Sequence, residues 1–593
     1  MQLFIAYKFF KHIDKNDLRA RQARVEKYYF SNIDDTKIQR YESTLANIGL
    51  LYWNTVVDRY KFPSWGENEQ FASCFTYAPN GWEQVVDNGV TMSNAPLCFT
   101  NEIKQNPRAM NLMTPPLIFT YLDKQENEIK IYNDCLGMGK LYELHLNEGV
   151  VYSNKLGALY IYSNEKAEMD RTSWKIFSNV GWFMGDSCPI KGARRVKPGI
   201  EITLKNEMHI PKYFIHLGGL QSLVSPRELD AVSFDSEMSN ILASAKSFFR
   251  MFDFPVNSML SGGKDSRVSS AILVKAEIDC TFKTLGPLTG EIETAKKLIE
   301  LIGLDNKHTV DEPTSQHPIQ ITVHLEDRLR LLHFAYDADF TPVKQTGMVS
   351  SGQFYKISGV FSVGAGGEIA SGNYYSNDNV YKSIIEKGEE GPFWRLSSYL
   401  SSLTGTNQEA FPIVERELWL VFEEAKQFGL KGMEIMDYFY LKERLRRWAP
   451  ISGVMNSFTP FSTPGFIRLS FDLTPEQRKA YTLHKMMLKH LIPEWADVPF
   501  YKSDIRKENR DQKAENNMRI WQNEDRYYVD MALNERTIWK DYFNESETME
   551  LWNKAMNGES IYRKFEALFQ RIVWLTSFEE HINRINVASG NDV

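Results

Sequence analysis

The stretch Met259 to Ala271, MLSGGKDSRVSSA, constrains this chain more than any other. A short apolar run, Pro255-Val256-Asn257-Ser258-Met259-Leu260, leads into Ser261-Gly262-Gly263-Lys264-Asp265-Ser266 and then into the period of an amphipathic helix starting near Ser266. Strand, glycine turn and helix in that order form the unit with which open α/β sheets bind ligands at their carboxyl edge. Gly262 and Gly263 permit a tight turn that aims backbone N–H groups at an anion, and the helix start adds the positive end of its dipole. Hydroxyls at Ser261 and Ser266 supply further donors. Asp265 would repel a bare phosphate, so its presence implies a divalent cation between them and predicts ATP with Mg2+ as cofactors. The spacing is not G-x-x-x-x-G-K-[ST], which argues against transfer of a terminal phosphate. A surface turn is the ordinary reading of Ser-Gly-Gly alone; the strand and helix signals on either side favour a binding loop.

At 593 residues the chain is long enough for more than one domain. Its 43% hydrophobic and 13% aromatic content belongs to a globular protein, and a net charge of -7 argues against broad binding to nucleic acid or a membrane surface. Cys74, Cys98, Cys135, Cys188 and Cys280 contain no C-x-x-C pair, so neither a disulfide framework nor a zinc site is expected. The eleven histidines show no H-E-x-x-H arrangement. There is no run of roughly 18 apolar residues, and the first residues, MQLFIAYKFFKHIDKND, lack the pattern of a signal peptide. A cytoplasmic protein is the expectation.

The loop SGGKDS resembles the SGG-x-DS loop of the ATP-pyrophosphatase superfamily. The segments around it narrow the likeness to asparagine synthetase-like (class B) enzymes, closest in logic to lasso-peptide cyclases and β-lactam synthetases. The first 215 or so residues read as β-rich, with runs such as Leu117 to Leu122, Ile129 to Tyr132 and Val150 to Ser153. Within them, Asp134-Cys135-Leu136-Gly137-Met138-Gly139-Lys140-Leu141-Tyr142 resembles the D-x-x-G-x-x-x-L-Y segment of the glutaminase domain in asparagine synthetases, and Gly185 to Gly199 resembles its closing stretch. The resemblance implies an α/β protein of two domains. Residues 1–217 would be a degenerate Ntn-glutaminase-like, β-rich sandwich. Residues 226–593 would be a doubly wound, parallel-sheet ATP-pyrophosphatase synthetase domain with a helical tail, reached through a linker near Gly218 to Pro226 and a helical pattern from Arg227 to Arg250.

Such glutaminases use an N-terminal cysteine exposed by loss of the initiator Met, and position 2 here is Gln2. The internal cysteines Cys74, Cys98, Cys135 and Cys188 read as small buried hydrophobes. The first domain is therefore expected to pack against the second without hydrolysing glutamine.

In the second domain, Cys280 to Gly286 resembles the family's adenine-holding strand, which implies cofactor contacts at Lys283 and Gly286. The helix Glu291 to Leu301 follows, with Gly303 as its C-cap, and His308 reads as structural. Gly364-Ala365-Gly366-Gly367-Glu368, after the strand signal Gly359 to Val363, resembles the family's G-E-G-A-D-E loop. Gly366 and Gly367 would then face the ATP, and Glu368 would join Asp265 as a magnesium ligand. Asp437 to Trp448 reads as a charged helix, and the turn Ser457 to Phe461 after it resembles the family's substrate-pocket turn, which brings Glu443 close to the position of the acidic residue that activates the amine in β-lactam synthetases. Thr482 to Leu491 resembles a later helix, and Val498-Pro499-Phe500-Tyr501-Lys502 a turn whose lysine faces the tetrahedral intermediate. Lys502 is thus the expected catalytic cation, with Lys507 next in line. In the tail, Tyr562 to Ile585, Trp574 and Phe578 are expected to pack back onto the domain.

The implied reaction is ATP-dependent activation of a small-molecule or peptide carboxylate followed by amide formation. The amine would come from the substrate itself, as in lasso-peptide or β-lactam ring closure, or from free ammonia. Partner biosynthetic enzymes are implied. A nucleotide-binding protein without catalysis is the reading from another class, because Gln2, Ala365 and Glu368 depart from the family pattern.

Overall fold

The computed structural model describes residues 1–55, 59–87, 89–205, 211–215, 219–225, 230–286, 289–311, 324–338, 359–402, 405–448, 456–501, 520–522, 524–559, 561 and 565–591. Strands are numbered in chain order. Two antiparallel sheets, each six-stranded among the described residues, occupy the first part of the chain. One has the order β10-β8-β9-β1-β3-β2, from β1 (Gln2–Phe9), β2 (Ile38–Leu45), β3 (Ile48–Thr55), β8 (Tyr142–His145), β9 (Gly149–Ser153) and β10 (Ala193–Arg195). The other has the order β12-β11-β7-β6-β5-β4, from β4 (Trp65–Glu67), β5 (Phe71–Thr76), β6 (Ile118–Asp123), β7 (Glu128–Asn133), β11 (Ile200–Lys205) and β12 (Lys212–Ile215).

The side-chain period of two assigns the layers. Along β1, Leu3, Ile5, Tyr7 and Phe9 pack with Val25 and Tyr29 of α1 (Lys15–Phe30) and Leu159 of α3 (Leu156–Ser163). Phe4 and Ala6 point the other way, onto Ile118, Leu122, Ile131 and Ile202 of the second sheet. The far side of that sheet, at Phe119 and Tyr121, packs with Phe99 of α2 (Ala95–Gln105). The result is a helix–sheet–sheet–helix sandwich.

A parallel sheet follows, in the order β15-β14-β13-β16-β17, from β13 (Val256–Met259), β14 (Cys280–Leu285), β15 (His308–Asp311), β16 (Val360–Ser362) and β17 (Ser457–Phe458). From the central β13 the chain first builds outward through β14 and β15, then returns to add β16 and β17 on the opposite side. The order therefore reverses between β13 and β16, the place where open sheets leave a crevice at their carboxyl ends.

Several boundaries differ from expectation. The helix after the serine loop runs Lys264–Lys275, so Asp265 lies in its first turn rather than before it. The helix expected from Arg227 begins at Ala231, where Asp230 and Ser233 form a capping box; residues 226–229 lie outside the described residues. The tail helix is Glu566–Ser589, and residues 562–564 are likewise outside. All five cysteines are free, and Cys98 is half-buried rather than buried, being on the outer half of α2.

The two sequence-defined regions share their cores. One cluster packs Leu3, Val25 and Trp174 with Leu329, Trp574 and Phe578; another packs Phe75 and Phe119 with Met238, Val268 and Phe458. The tail thus packs onto the first region as much as onto its own. Asn586 exchanges amide hydrogen bonds with the backbone of Ala167 at 2.7 and 3.0 Å, and Arg571 donates to the carbonyls of Ser178 and Asn179. Among the described residues no helix is long and apolar enough to cross a membrane.

His333 and His581 lie buried where the tail meets this shared core, with ring centroids 5.7 Å apart. Burial, then the Arg584 charge, lowers His581 to about 3; burial, then His581, lowers His333 well below its ordinary value. Both are neutral in the native state, whereas the unfolded chain takes up protons below a pKa of about 6.5. Their contribution to stability is complete above that pH and declines as the pH falls toward the folded values, by ~1.4 kcal/mol per pH unit for each ring. Thermal unfolding is expected to shift downward between about pH 6.5 and 4.5, and His581→Gln to show a visibly shallower shift. Identical slopes for the two proteins would contradict this account.

Candidate functional site

The serine loop leaves β13 at the switch point and closes on itself. The Ser261 N–H donates to Ser266 Oγ at 3.1 Å, the two hydroxyls lie 2.8 Å apart, and the Gly263 N–H donates to Ser261 Oγ at 3.2 Å. Gly263 caps the helix Lys264–Lys275, whose first-turn N–H groups are the ones an α-helix leaves without internal partners. Small hydroxyls seat this helix on the sheet: Ser258 with Ser270 at 2.8 Å, and Ser269 with Ser362 of β16 at 2.6 Å.

Asp265 is the electrostatic centre. Its Oδ2 accepts from Lys264 Nζ at 2.7 Å and its Oδ1 from His484 Nε2 at 2.8 Å. Burial opposes ionisation, yet Lys264 and then His484 outweigh it and hold the carboxyl below its ordinary range. Burial also lowers His484, which therefore stays neutral with its proton on Nε2, and His484 Nδ1 is buried without a hydrogen-bond partner. Lys264 lies over the Tyr481 ring, 5.4 Å from its centroid. Sequence reading overlooked His484, because one histidine on the buried face of the helix Thr482–Leu491 looks like any core residue.

The glycine loop after β16 lies directly on Asp265. A Cβ on Gly367 would stand 1.9 Å from Asp265 Oδ1, and one on Gly364 would stand 3.1 Å from the Ser266 nitrogen. Gly366 has φ +101°, a conformation that side chains rarely adopt, and its N–H donates to Glu368 Oε2 at 3.2 Å. The Tyr440 hydroxyl donates to the same oxygen at 3.0 Å. Tyr440 opens a π-helical turn, Tyr440–Leu445, whose Leu445 also packs against Gly366. Thr459, just after β17, donates to the Ala365 carbonyl at 2.6 Å.

Arg267 ties a third segment to the serine loop. Its buried guanidinium donates to the carbonyls of Trp495, Val498 and Pro499 and, at 3.1 Å, to that of Gly262. The Tyr501 N–H donates to the Gly262 carbonyl at 2.9 Å, and its side chain lies over Gly262 and Gly290, where an added Cβ would stand 2.6 and 2.4 Å from it. The turn Val498 to Tyr501 thus borders the loop; Lys502 and Lys507 lie outside the described residues.

The remaining expected residues have the following partners. Lys283 pairs with Asp311 at 2.5 Å and its carbonyl accepts from Leu260, while the Gly286 N–H donates to the Asp311 carbonyl at 2.7 Å, so these groups of both residues serve strand pairing. His308 bonds Thr284 at 2.8 Å, a structural role. Glu443 turns toward the first region, where its Oε2 accepts from the Gly185 N–H at 3.0 Å and its Oε1 is buried without a partner. Burial raises its carboxyl even though Lys442, Arg447 and Arg446 oppose the rise. Among the described residues no hydrogen bond or ion pair links Glu443 to Asp265 or Glu368. Gln2 bonds Ser64 at 2.9 Å and accepts from the Tyr77 N–H at 2.5 Å, a side chain committed to holding structure.

A divalent cation with a polyphosphate fits these donors in kind. Asp265 is held ionised beside a helix start, and Glu368 brings a second carboxylate on the facing loop. Each oxygen of Asp265 retains acceptor capacity beyond its one described bond. Among the described residues no three His, Cys, Asp or Glu side chains converge. Mg2+ does not require such a cluster, since one or two carboxylates with phosphate oxygens and water complete its shell.

No family model matches the chain, and no curated protein matches it in sequence. Among solved structures, 23 chains match. One is a glutamine phosphoribosylpyrophosphate amidotransferase from B. subtilis complexed with ADP and GMP, at 9% identity and a TM-score of 0.23. The match covers 52% of this chain and 65% of that one, so it spans less than two thirds of that chain's length.

Proposed function

We propose that this chain is an Mg2+/ATP-dependent carboxylate–amine ligase that adenylates a small-molecule or peptide carboxylate and forms an amide without hydrolysing glutamine. The observation that carries the reading is the meeting of the Ser261–Ser266 loop with the glycine loop at the switch point, with ionised Asp265 between them. The helix–sheet–sheet–helix sandwich ahead of the parallel sheet supports the glutaminase-like assignment of residues 1–217. Gln2, committed to Ser64 and Tyr77, supports the absence of glutamine hydrolysis.

When bound, ATP supplies the adenylyl group and Mg2+ neutralises the departing pyrophosphate. The chain's own part is positioning. First-turn N–H groups after Gly263 would bind the phosphates, Asp265 and Glu368 would hold the metal, and Tyr440 and His484 fix those two carboxylates in place. The amine comes from the substrate itself or from ammonia. A second reading, nucleotide binding without catalysis, is favoured by the engagement of both Asp265 oxygens by Lys264 and His484.

Exchange of labelled pyrophosphate into ATP, measured with the full chain, Mg2+ and a panel of amino acids, uronic acids and short peptides, separates the two. Exchange that requires Mg2+ and one class of carboxylate is the expected result. ATP binding with no exchange across the panel would establish the second reading, and no ATP binding would remove both.

A further inference from the structure

A groove of about 520 Å³, lined by none of the crevice residues, lies on the first sheet between α1 and β2. Its helical wall is one face of α1, with Arg19, Gln22, Ala23, Glu26, Lys27 and Phe30 recurring at helical spacing. Its other wall is the beginning of β2 at Ile38 and Arg40. Among the described residues β2 is the last strand of its sheet, hydrogen-bonded to β3 on one side only. At the start of the strand the Ile38 N–H donates to the Asp35 carbonyl and the Ile38 carbonyl accepts from the Arg40 guanidinium at 3.2 Å, so the backbone row that the outer edge offers an extended chain begins at Arg40. Edge strand and helix flanking one groove is the geometry that accepts a peptide by strand addition.

The charges select the peptide. Arg40 is neutralised across the groove by Glu26 at 2.7 Å and by Asp35 at 2.5 Å. Arg19 and Lys27 also line the groove and are exposed, and among the described residues neither has a carboxylate partner. They stand eight residues apart on α1, about 12 Å along the helix axis at 1.5 Å per residue. In an extended chain, side chains four residues apart face the same way and stand about 13 Å apart.

We propose that this groove binds an extended acidic peptide that pairs with the outer edge of β2 and places carboxylates four residues apart on Arg19 and Lys27. The site is separate from the crevice and its binding needs no nucleotide, so the inference stands whether or not the chain is a ligase.

The test is fluorescence anisotropy of the full chain, without ATP, using fluorescein-labelled Thr-Glu-Val-Thr-Val-Glu-Val-Thr. One control replaces both Glu with Lys; another replaces the central Thr with Pro, which keeps the charge but deletes a ladder donor. The acidic peptide is expected to bind at least ~10-fold more tightly than either control. In the double variant Arg19→Glu/Lys27→Glu, checked for folding by circular dichroism, the preference should reverse toward the Lys peptide. Equal binding of the Glu and Pro peptides, no binding of any peptide, or unchanged preference in the variant would overturn the proposal. So would a concentration-dependent dimer in sedimentation that the same variant dissolves, since a second copy would then occupy the edge.

Discussion

Asp265→Asn is expected to lower Mg2+-dependent ATP–pyrophosphate exchange by ~1,000-fold or more, a loss of about 4 kcal/mol in the transition state. The substitution keeps the shape of the side chain and an oxygen able to accept from His484 Nε2, now at 2.8 Å from Asp265 Oδ1. What it removes is the negative charge, which the proposed metal requires and which Lys264, at 2.7 Å, helps to maintain. The melting temperature should change little, because the serine loop is closed by Ser261 and Ser266 and the helix behind it by Ser258, Ser269 and Ser270. Exchange at the wild-type rate in a folded Asp265→Asn protein would remove Asp265 from the chemistry and with it the ligase reading. A large fall in melting temperature would instead make Asp265 a structural anchor.

Arg478→Met is expected to destabilise the protein by ~3–5 kcal/mol, the usual consequence of leaving one member of a buried ion pair alone. Arg478 is fully buried, donates to Asp437 Oδ2 at 2.7 Å and to the Ser470 carbonyl at 2.8 Å, and the Tyr375 hydroxyl donates to the same Asp437 oxygen at 2.7 Å. Burial already raises the Asp437 carboxyl to about 6 with Arg478 and Tyr375 opposing the rise, so loss of the guanidinium leaves a carboxyl that must take up a proton. Urea denaturation of Arg478→Met and of Arg478→Met/Asp437→Leu should show the double variant recovering most of the loss, since the partner charge is gone. A single-variant change below ~1 kcal/mol would mean the pair is hydrated and ordinary. The pair also bears on the crevice. Asp437 lies on the helix that continues into Tyr440, which holds Glu368, and Arg478 precedes the helix that carries His484, which holds Asp265. The buried pair therefore joins the helix that leads into Tyr440 to the one just ahead of His484.

Much of the scaffold was legible in the chain because its signals are local. The apolar run before Ser261, the paired glycines and the helical period after them specify strand, loop and helix through backbone preference alone, and β13 and the helix Lys264–Lys275 appear there. The helix Thr482–Leu491 has its expected ends. The glycine cluster at 364, 366 and 367 is plain in the sequence, and in the structure a Cβ added at Gly367 would stand 1.9 Å from Asp265 Oδ1 while Gly366 has φ +101°. The bond from His484 to Asp265 came only from the tertiary structure. Asp265 and His484 are 219 residues apart, and no periodicity couples positions so distant. A helical pattern states which face of a helix is buried and leaves open what covers it, which is why Glu443 could be assigned to the crevice yet faces Gly185 in the sandwich, while Tyr440 on the same turn reaches Glu368. The same freedom let the tail helix join the first region's core instead of only its own. Sequence by itself determined the loop, its helix and the type of charge beside them. The order β15-β14-β13-β16-β17 decided that two such loops meet, because a crevice at the reversal of strand order is a property of how the strands are arranged and not of any one of them.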